Sequence, residues 1–165
     1  IRPLKDSVKE NIFNILNHSS EVEIKISNSE ILDLYSGIGS FGLECISRGA
    51  QKVTFIDKDI NAINILKKNV NNLSISHKVE IINGSIENDQ NFIKKKFNIF
   101  FLDPPFSNFD FIEILKKIKK NKNFKKNHIV IIHREKNAKD NFAQVMKLIF
   151  TRKYGRSKIL FAKFT

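Results

Sequence analysis

The sequence predicts an α/β fold: a doubly wound, mostly parallel sheet of seven strands, helices on both faces, and an antiparallel hairpin at the end. Three observations carry that expectation. Short apolar runs alternate with segments of helical periodicity from Glu30 onward. A glycine-rich turn, Gly37-Ile38-Gly39-Ser40-Phe41-Gly42, joins the first run to a helix. The last two runs, residues 145–153 and 158–164, meet through Gly155-Arg156-Ser157, a hairpin connection rather than a helical crossover.

In chain order, a first helix is expected over residues 7–17, with Ser7 and Glu10 as a capping box and Val8, Ile12, Ile15 and Leu16 as its apolar face. Residues 30–35 form the first strand, and 41–48 the helix after the glycine turn, stopped by Gly49. Residues 52–57 are the second strand, after which Asp59 caps a helix marked by Ile60, Ile63, Leu66 and Val70. Residues 79–82 make the third strand and 87–95 a short helix. Residues 97–102 are apolar almost throughout, as in a central strand covered on both faces. Asn108 or Asp110 opens a helix reaching Ile118, 128–133 is the fifth strand, and a short helix over 139–144 precedes the hairpin. No repeat or Gly/Ser/Pro-rich linker divides the chain, so residues 1–165 are read as one domain with an N-terminal helix region at 1–20.

Composition narrows the setting. Lys and Arg number 29 against 17 Asp and Glu, a net charge of +12, so a polyanion is the first partner to consider. The densest basic run, Lys116 to Lys126, reads as a solvated face. Cys45 is the only cysteine, which excludes an internal disulfide and points to a reducing, cytoplasmic setting. No apolar stretch approaches the ~18 residues of a membrane span. The chain begins at Ile1 without a signal pattern, and a further segment is expected before it.

The glycine turn lies between a strand and a helix, where glycines allow close backbone approach and the helix N-terminus offers free amides. Asp57 closes the second strand, placed to accept ribose hydroxyls. These features suit a nucleoside cofactor, either a nicotinamide dinucleotide or S-adenosylmethionine. Asp33, just before the loop, favours the second: a carboxylate there opposes a pyrophosphate but suits an ammonium and a sulfonium. Capping the turn is the other use for Asp33.

Asp103-Pro104-Pro105-Phe106 follows the 97–102 strand at the carboxyl edge of the sheet, where clefts open in such folds. An exocyclic amine is a weak nucleophile because its lone pair is delocalised into the ring. The Asp103 carboxylate and Pro104 carbonyl can each accept an amine hydrogen and turn that pair outward. Pro104 and Pro105 stiffen the turn, and Phe106 offers a stacking surface. The chemistry needs no metal and no covalent intermediate. Seven strands ending in a hairpin are the class I methyltransferase variant of the Rossmann architecture.

Taken together, these stretches resemble the RsmD-type 16S rRNA guanine-N2 methyltransferases along nearly the whole chain. They are Arg2-Pro3 with Asp6, Val8, Glu10 and Phe13-Asn14-Ile15-Leu16; Asp33-Leu34-Tyr35-Ser36-Gly37 through Glu44; Ser47-Arg48-Gly49-Ala50; Phe55-Ile56-Asp57-Lys58-Asp59; Asp103 to Phe106; and Tyr154-Gly155. The resemblance implies methyl transfer from S-adenosylmethionine to N2 of a guanine in 16S rRNA, leaving S-adenosylhomocysteine. The substrate would be the small subunit or its assembly intermediate, and the enzyme a monomer. Asp33, Gly37 and Gly39 would hold the methionine part, Asp57 the ribose, and Asp103 with Phe106 the base, with Tyr35, Ser36, Lys58 and Ile86 completing the cofactor set. Ser85 departs from the Asp or Asn that many relatives use for the adenine amine.

Arg2, Lys5, Arg134, Arg156 and Lys158 are the expected RNA contacts, since their elements end near the predicted cleft. His128 and His133 read as structural, and Cys45 as a small core residue. Three other readings remain open: an amino-methyltransferase acting on DNA adenine or protein glutamine, a nicotinamide-dependent oxidoreductase, and a non-catalytic RNA-binding module.

Overall fold

The computed structural model describes residues 4–165, so Arg2 and Pro3 of the sequence signature lie outside the described residues. Helix α1 (Asp6–His18) is followed by β1 (Glu30–Leu34), α2 (Ser40–Ser47), β2 (Lys52–Asp57), α3 (Ile60–Asn72) and β3 (Val79–Asn83). Then come β4 (Phe97–Leu102), α4 (Phe111–Asn121), β5 (Phe124–Glu135), β6 (Met146–Tyr154) and β7 (Ser157–Phe164). The seven strands form one sheet in the order β3-β2-β1-β4-β5-β7-β6. The first five pair in parallel, and β7 runs antiparallel between β5 and β6. Strand order reverses between β1 and β4, which places a cleft at their carboxyl ends.

Two-residue alternation in the strands sorts the core into two layers. Ile31, Val53, Phe55, Ile99, Phe101 and Ile131 pack under α1, α2 and α3. Leu32, Ile56, Phe100, Leu102, Val130 and Ile132 face α4 on the other side. Asp33 shares the parity of Ile31 and so points toward α2, whose start carries the glycine turn. Phe41 of α2 stacks between Phe13 and Phe101, at ring separations of 5.2 and 4.2 Å, and ties α1, α2 and β4 together beside the cleft.

Several boundaries differ from those expected. Helix α1 begins at Asp6 after an extended Lys5, with no side-chain cap, so Ser7 is already helical and the capping box does not form. Residues 87–95 are not a continuous helix but two 3₁₀ turns, Ile86–Asn88 and Phe92–Lys94. There the Asn88 carboxamide accepts from the Ser85 amide, and Asp89 accepts from that of Asn91, which competes with helical bonding. Residues 139–142 are irregular and 143–145 a turn rather than a helix, with Asn141 accepting from the Ala143 amide and Asp140 committed to Arg134. Strand β5 starts four residues before His128, extended by Phe124 pairing with Phe97. Asp59 does cap α3, accepting from the Asn61 and Ala62 amides. Among the described residues, no helix is long and apolar enough to cross a membrane.

The glycine turn needs its glycines for two reasons. Gly39 caps α2 at φ +88, a left-handed conformation, and a Cβ there would lie 2.5 Å from a Leu66 methyl. At Gly42, a Cβ would lie 2.4 Å from the Phe55 ring and 2.8 Å from Val53 Cγ1. Gly42→Ala is expected to destabilise the fold by about 1–3 kcal/mol, because α2 must lift from the sheet. Urea denaturation measures it, and unchanged stability would mean that α2 shifts freely.

Candidate active site

The carboxyl ends of β1, β2 and β4 open onto a cavity of about 830 Å³. Asp33, Tyr35, Ser36, Gly37 and Asp57 line one part of it, and Asp103, Pro105, Phe106 and Phe101 another. Among the described residues, the lining includes Asp33, Asp57, Asp59 and Asp103 but no Lys, Arg or His. An acidic wall of this kind repels a pyrophosphate and attracts a cation.

Asp33 divides its carboxylate between two tasks. Oδ2 accepts from the Gly42 amide at 3.1 Å, the turn-capping use. Oδ1 is buried and has no partner among the described residues, and the same holds for Ser36 Oγ, also of the cavity lining. Burial pushes the Asp33 carboxyl well above the usual range, the Gly42 amide opposes this, and Asp103 and Asp57 add to it. A buried acceptor without a donor, on an acidic wall, fits a ligand that brings a cationic N–H.

Asp57 knits the loop to β2. Its Oδ2 accepts from the Gly37 amide at 2.7 Å and Oδ1 from the Asp59 amide at 2.8 Å. Tyr35 holds a left-handed backbone at φ +55, and burial pushes its phenol up to about 12, with Asp110 contributing. Gly39, Lys58, Ser85 and Ile86 do not line the cavity. Ser85 Oγ instead lies 2.6 Å from a Glu87 carboxylate oxygen, to which it donates.

The Asp103-to-Phe106 loop is held from β5. Leu102 pairs with Ile132, so the next residue of each strand meets the other, and His133 Nδ1 lies 2.8 Å from Asp103 Oδ1. Arg134, on the opposite face, is 0% exposed. Its guanidinium donates to the carbonyls of Pro105 and Phe106 at 3.3 and 3.2 Å, and to both Asp140 oxygens at 2.8 and 3.2 Å. It also lies 4.6 Å from the centre of the Phe111 ring.

This corrects the expectation that Arg134 contacts RNA: its donors are spent inside the protein, bracing the loop. Lys158 is also committed, donating to the Ala138 carbonyl at 2.8 Å. Lys5 and Arg156 are exposed. Lys5 flanks Leu4 of the cavity wall, whereas Arg156 occupies the turn joining β6 to β7. Sequence reasoning missed the β5 bracket. The available signal was that β5 neighbours β4, so its last residues must border the Asp103 loop. His128 is structural as expected: Nδ1 lies 2.7 Å from the Lys125 carbonyl, Nε2 accepts from the Phe164 amide, and burial pushes the imidazole down.

Comparison with known proteins matches this geometry to a family. The profile of a family described as conserved hypothetical protein 95 matches residues 1–163. Ribosomal RNA small subunit methyltransferase D of Haemophilus influenzae is 42% identical over 111 residues, covering 64% of this chain and 53% of that protein. The match thus spans about half that relative's length. A solved structure described as a candidate methylase, also from Haemophilus influenzae, is 32% identical with a TM-score of 0.74, covering 95% of this chain and 96% of that one. A candidate methyltransferase from Escherichia coli is 26% identical with a TM-score of 0.79, covering 99% and 88%.

Proposed function

Because the chain belongs to the RsmD-type family of small-subunit rRNA methyltransferases, we propose that it methylates the exocyclic N2 of a guanine in 16S rRNA. One observation carries the reading: the Asp103 carboxylate and the buried Oδ1 of Asp33, which has no partner among the described residues, belong to the same cavity. When bound, S-adenosylmethionine supplies a methyl group whose bond to sulfur breaks, with the pair left on sulfur, as the new nitrogen–carbon bond forms.

The chain's own residues do the rest. Asp33 Oδ1 and Ser36 Oγ receive the amino-acid end of the cofactor, beside Tyr35 and Gly37, with Gly39 setting the turn behind them. Asp57 takes the ribose, while Lys58, Ser85 and Ile86 stand outside the cavity lining and are given no cofactor contact. Asp103 and the Pro104 carbonyl accept the two amine hydrogens, which draws the nitrogen lone pair out of conjugation. Phe106 supports the base from one face. The proton that the amine sheds passes to Asp103 and then to water. Lys5 and Arg156 contact RNA phosphates, and the enzyme works as a cytoplasmic monomer on the small subunit or its assembly intermediate.

Labelled S-adenosylmethionine incubated with small subunits lacking the modification tests this, after digestion of the RNA to nucleosides. N2-methylguanosine is the expected labelled product, and label in an adenosine, or none in RNA, contradicts it.

Burial of Asp33 gives the cofactor site a pH dependence. Its folded-state pKa is raised, so the free protein holds the proton to higher pH, whereas a bound ammonium favours the ionised carboxylate. Over the pH range in which Asp33 is protonated in the free protein, binding expels that proton, and affinity climbs with pH until Asp33 ionises unaided. Calorimetry with S-adenosylhomocysteine in buffers of different ionisation heat will show proton release. Asp33→Asn will remove this release and weaken binding about 10–100-fold, the value of a lost charge-assisted hydrogen bond. Binding without proton release at any pH in the wild type would contradict the assignment.

A further inference from the structure

We infer that His133 is a positioning residue for methyl transfer, its Nδ1–H fixing the orientation of the Asp103 carboxylate. The inference rests on the proposed function. Nδ1 lies 2.8 Å from Asp103 Oδ1, and the two side chains are 4% and 11% exposed. Nε2 is buried and has no partner among the described residues.

These two nitrogens decide the tautomer. An ionised carboxylate only accepts, so the hydrogen of a neutral ring belongs on Nδ1. A hydrogen on Nε2 would be a buried donor facing no acceptor, while Nδ1 would turn a lone pair on the carboxylate. The neutral Nδ1–H form avoids both. His128, on the same strand, has both ring nitrogens engaged by backbone groups and touches nothing in the cavity.

The same imidazole also supports the base platform. Its ring meets that of Phe106 edge to face, with centres 5.6 Å apart and planes at 64°. One side chain of β5 thus orients both the amine-accepting carboxylate and the stacking ring. A neutral donor suits this place. It orients Asp103 without adding a positive charge that would weaken the carboxylate's pull on the amine. As the nitrogen bonds the methyl carbon and the methyl–sulfur pair stays on sulfur, the departing amine proton goes to Asp103. The His133 hydrogen stays on Nδ1 throughout.

Two measurements test this. Ring ¹⁵N shifts of the wild-type protein, assigned by the signals lost in His133→Leu or His133→Asn, should show His133 as the neutral Nδ1–H tautomer. In single-turnover transfer to small subunits, His133→Leu should lower the rate about 10²-fold, the scale of a misplaced reacting group. Its affinity for S-adenosylhomocysteine should stay within a few-fold of wild type. His133→Asn, whose amide can donate from the same position, should recover most of the rate. An Nε2–H tautomer, a fully active His133→Leu, or an Asn variant as impaired as Leu would each overturn the role. Should His133→Leu fail to fold, the tautomer and the Asn variant still decide. A wild-type protein that methylates no RNA would instead overturn the function on which the inference rests.

Discussion

Arg134→Ala is expected to lower the stability of the fold by about 3–5 kcal/mol, the cost of breaking a buried ion pair from one side. Asp140, whose side chain is 1% exposed, would be left buried without its partner. The carbonyls of Pro105 and Phe106 would lose their donors, and the space beside Phe111 would lose its filling. Arg134→Lys should recover little, since one ammonium cannot serve a carboxylate and two carbonyls in a planar fork. Urea denaturation gives the number, and a loss below about 1 kcal/mol would mean that the bracket is dispensable. The double variant Arg134→Met with Asp140→Leu separates stability from function. Apolar replacement of the whole pair should restore much of the stability. Transfer should stay impaired, because the Asp103 loop has lost its anchor to β5.

Asp103→Ala is expected to lower methyl transfer about 10²–10⁴-fold, the range for a positioned proton acceptor. Affinity for S-adenosylhomocysteine should change little, since Asp33 and Asp57 remain in place. Asp103→Asn should be almost as inactive despite its similar shape. Its carboxamide oxygen would take the His133 hydrogen, leaving the amide N–H₂ turned toward the substrate amine, donor against donor. Single-turnover transfer with calorimetric binding separates the two effects. Retained turnover in either variant would remove Asp103 from the chemistry.

Much of this was legible in the sequence, for identifiable reasons. Apolar runs such as Phe97 to Leu102 announce a buried parallel strand, and Gly155 between two such runs announces the hairpin. Asp33 and Asp57 could be placed because the strand-turn-helix pattern puts their side chains at one edge of the sheet. Local pattern failed where side chains compete with the backbone, as Asn88, Asp89 and Asn141 do in turns expected to be helical. It failed again at Arg134, whose charge suggested a nucleic-acid contact. Composition does not show that the residue lies inside the sheet face, with Asp140 six positions on folded back to meet it. In sequence His133 reads as structural, because no partner ligand set accompanies it in the chain. Its partner, Asp103, is 30 residues away and adjacent only through the pairing of β4 with β5.

In the proposed mechanism one cavity holds a cationic methyl donor at Asp33 and presents it to Asp103. A structure with bound S-adenosylhomocysteine tests it most directly. The ligand's ammonium should lie within about 3 Å of Asp33 Oδ1, with the sulfur facing Asp103 and Phe106. An ammonium placed elsewhere, or a sulfur turned away from Asp103, would contradict the account.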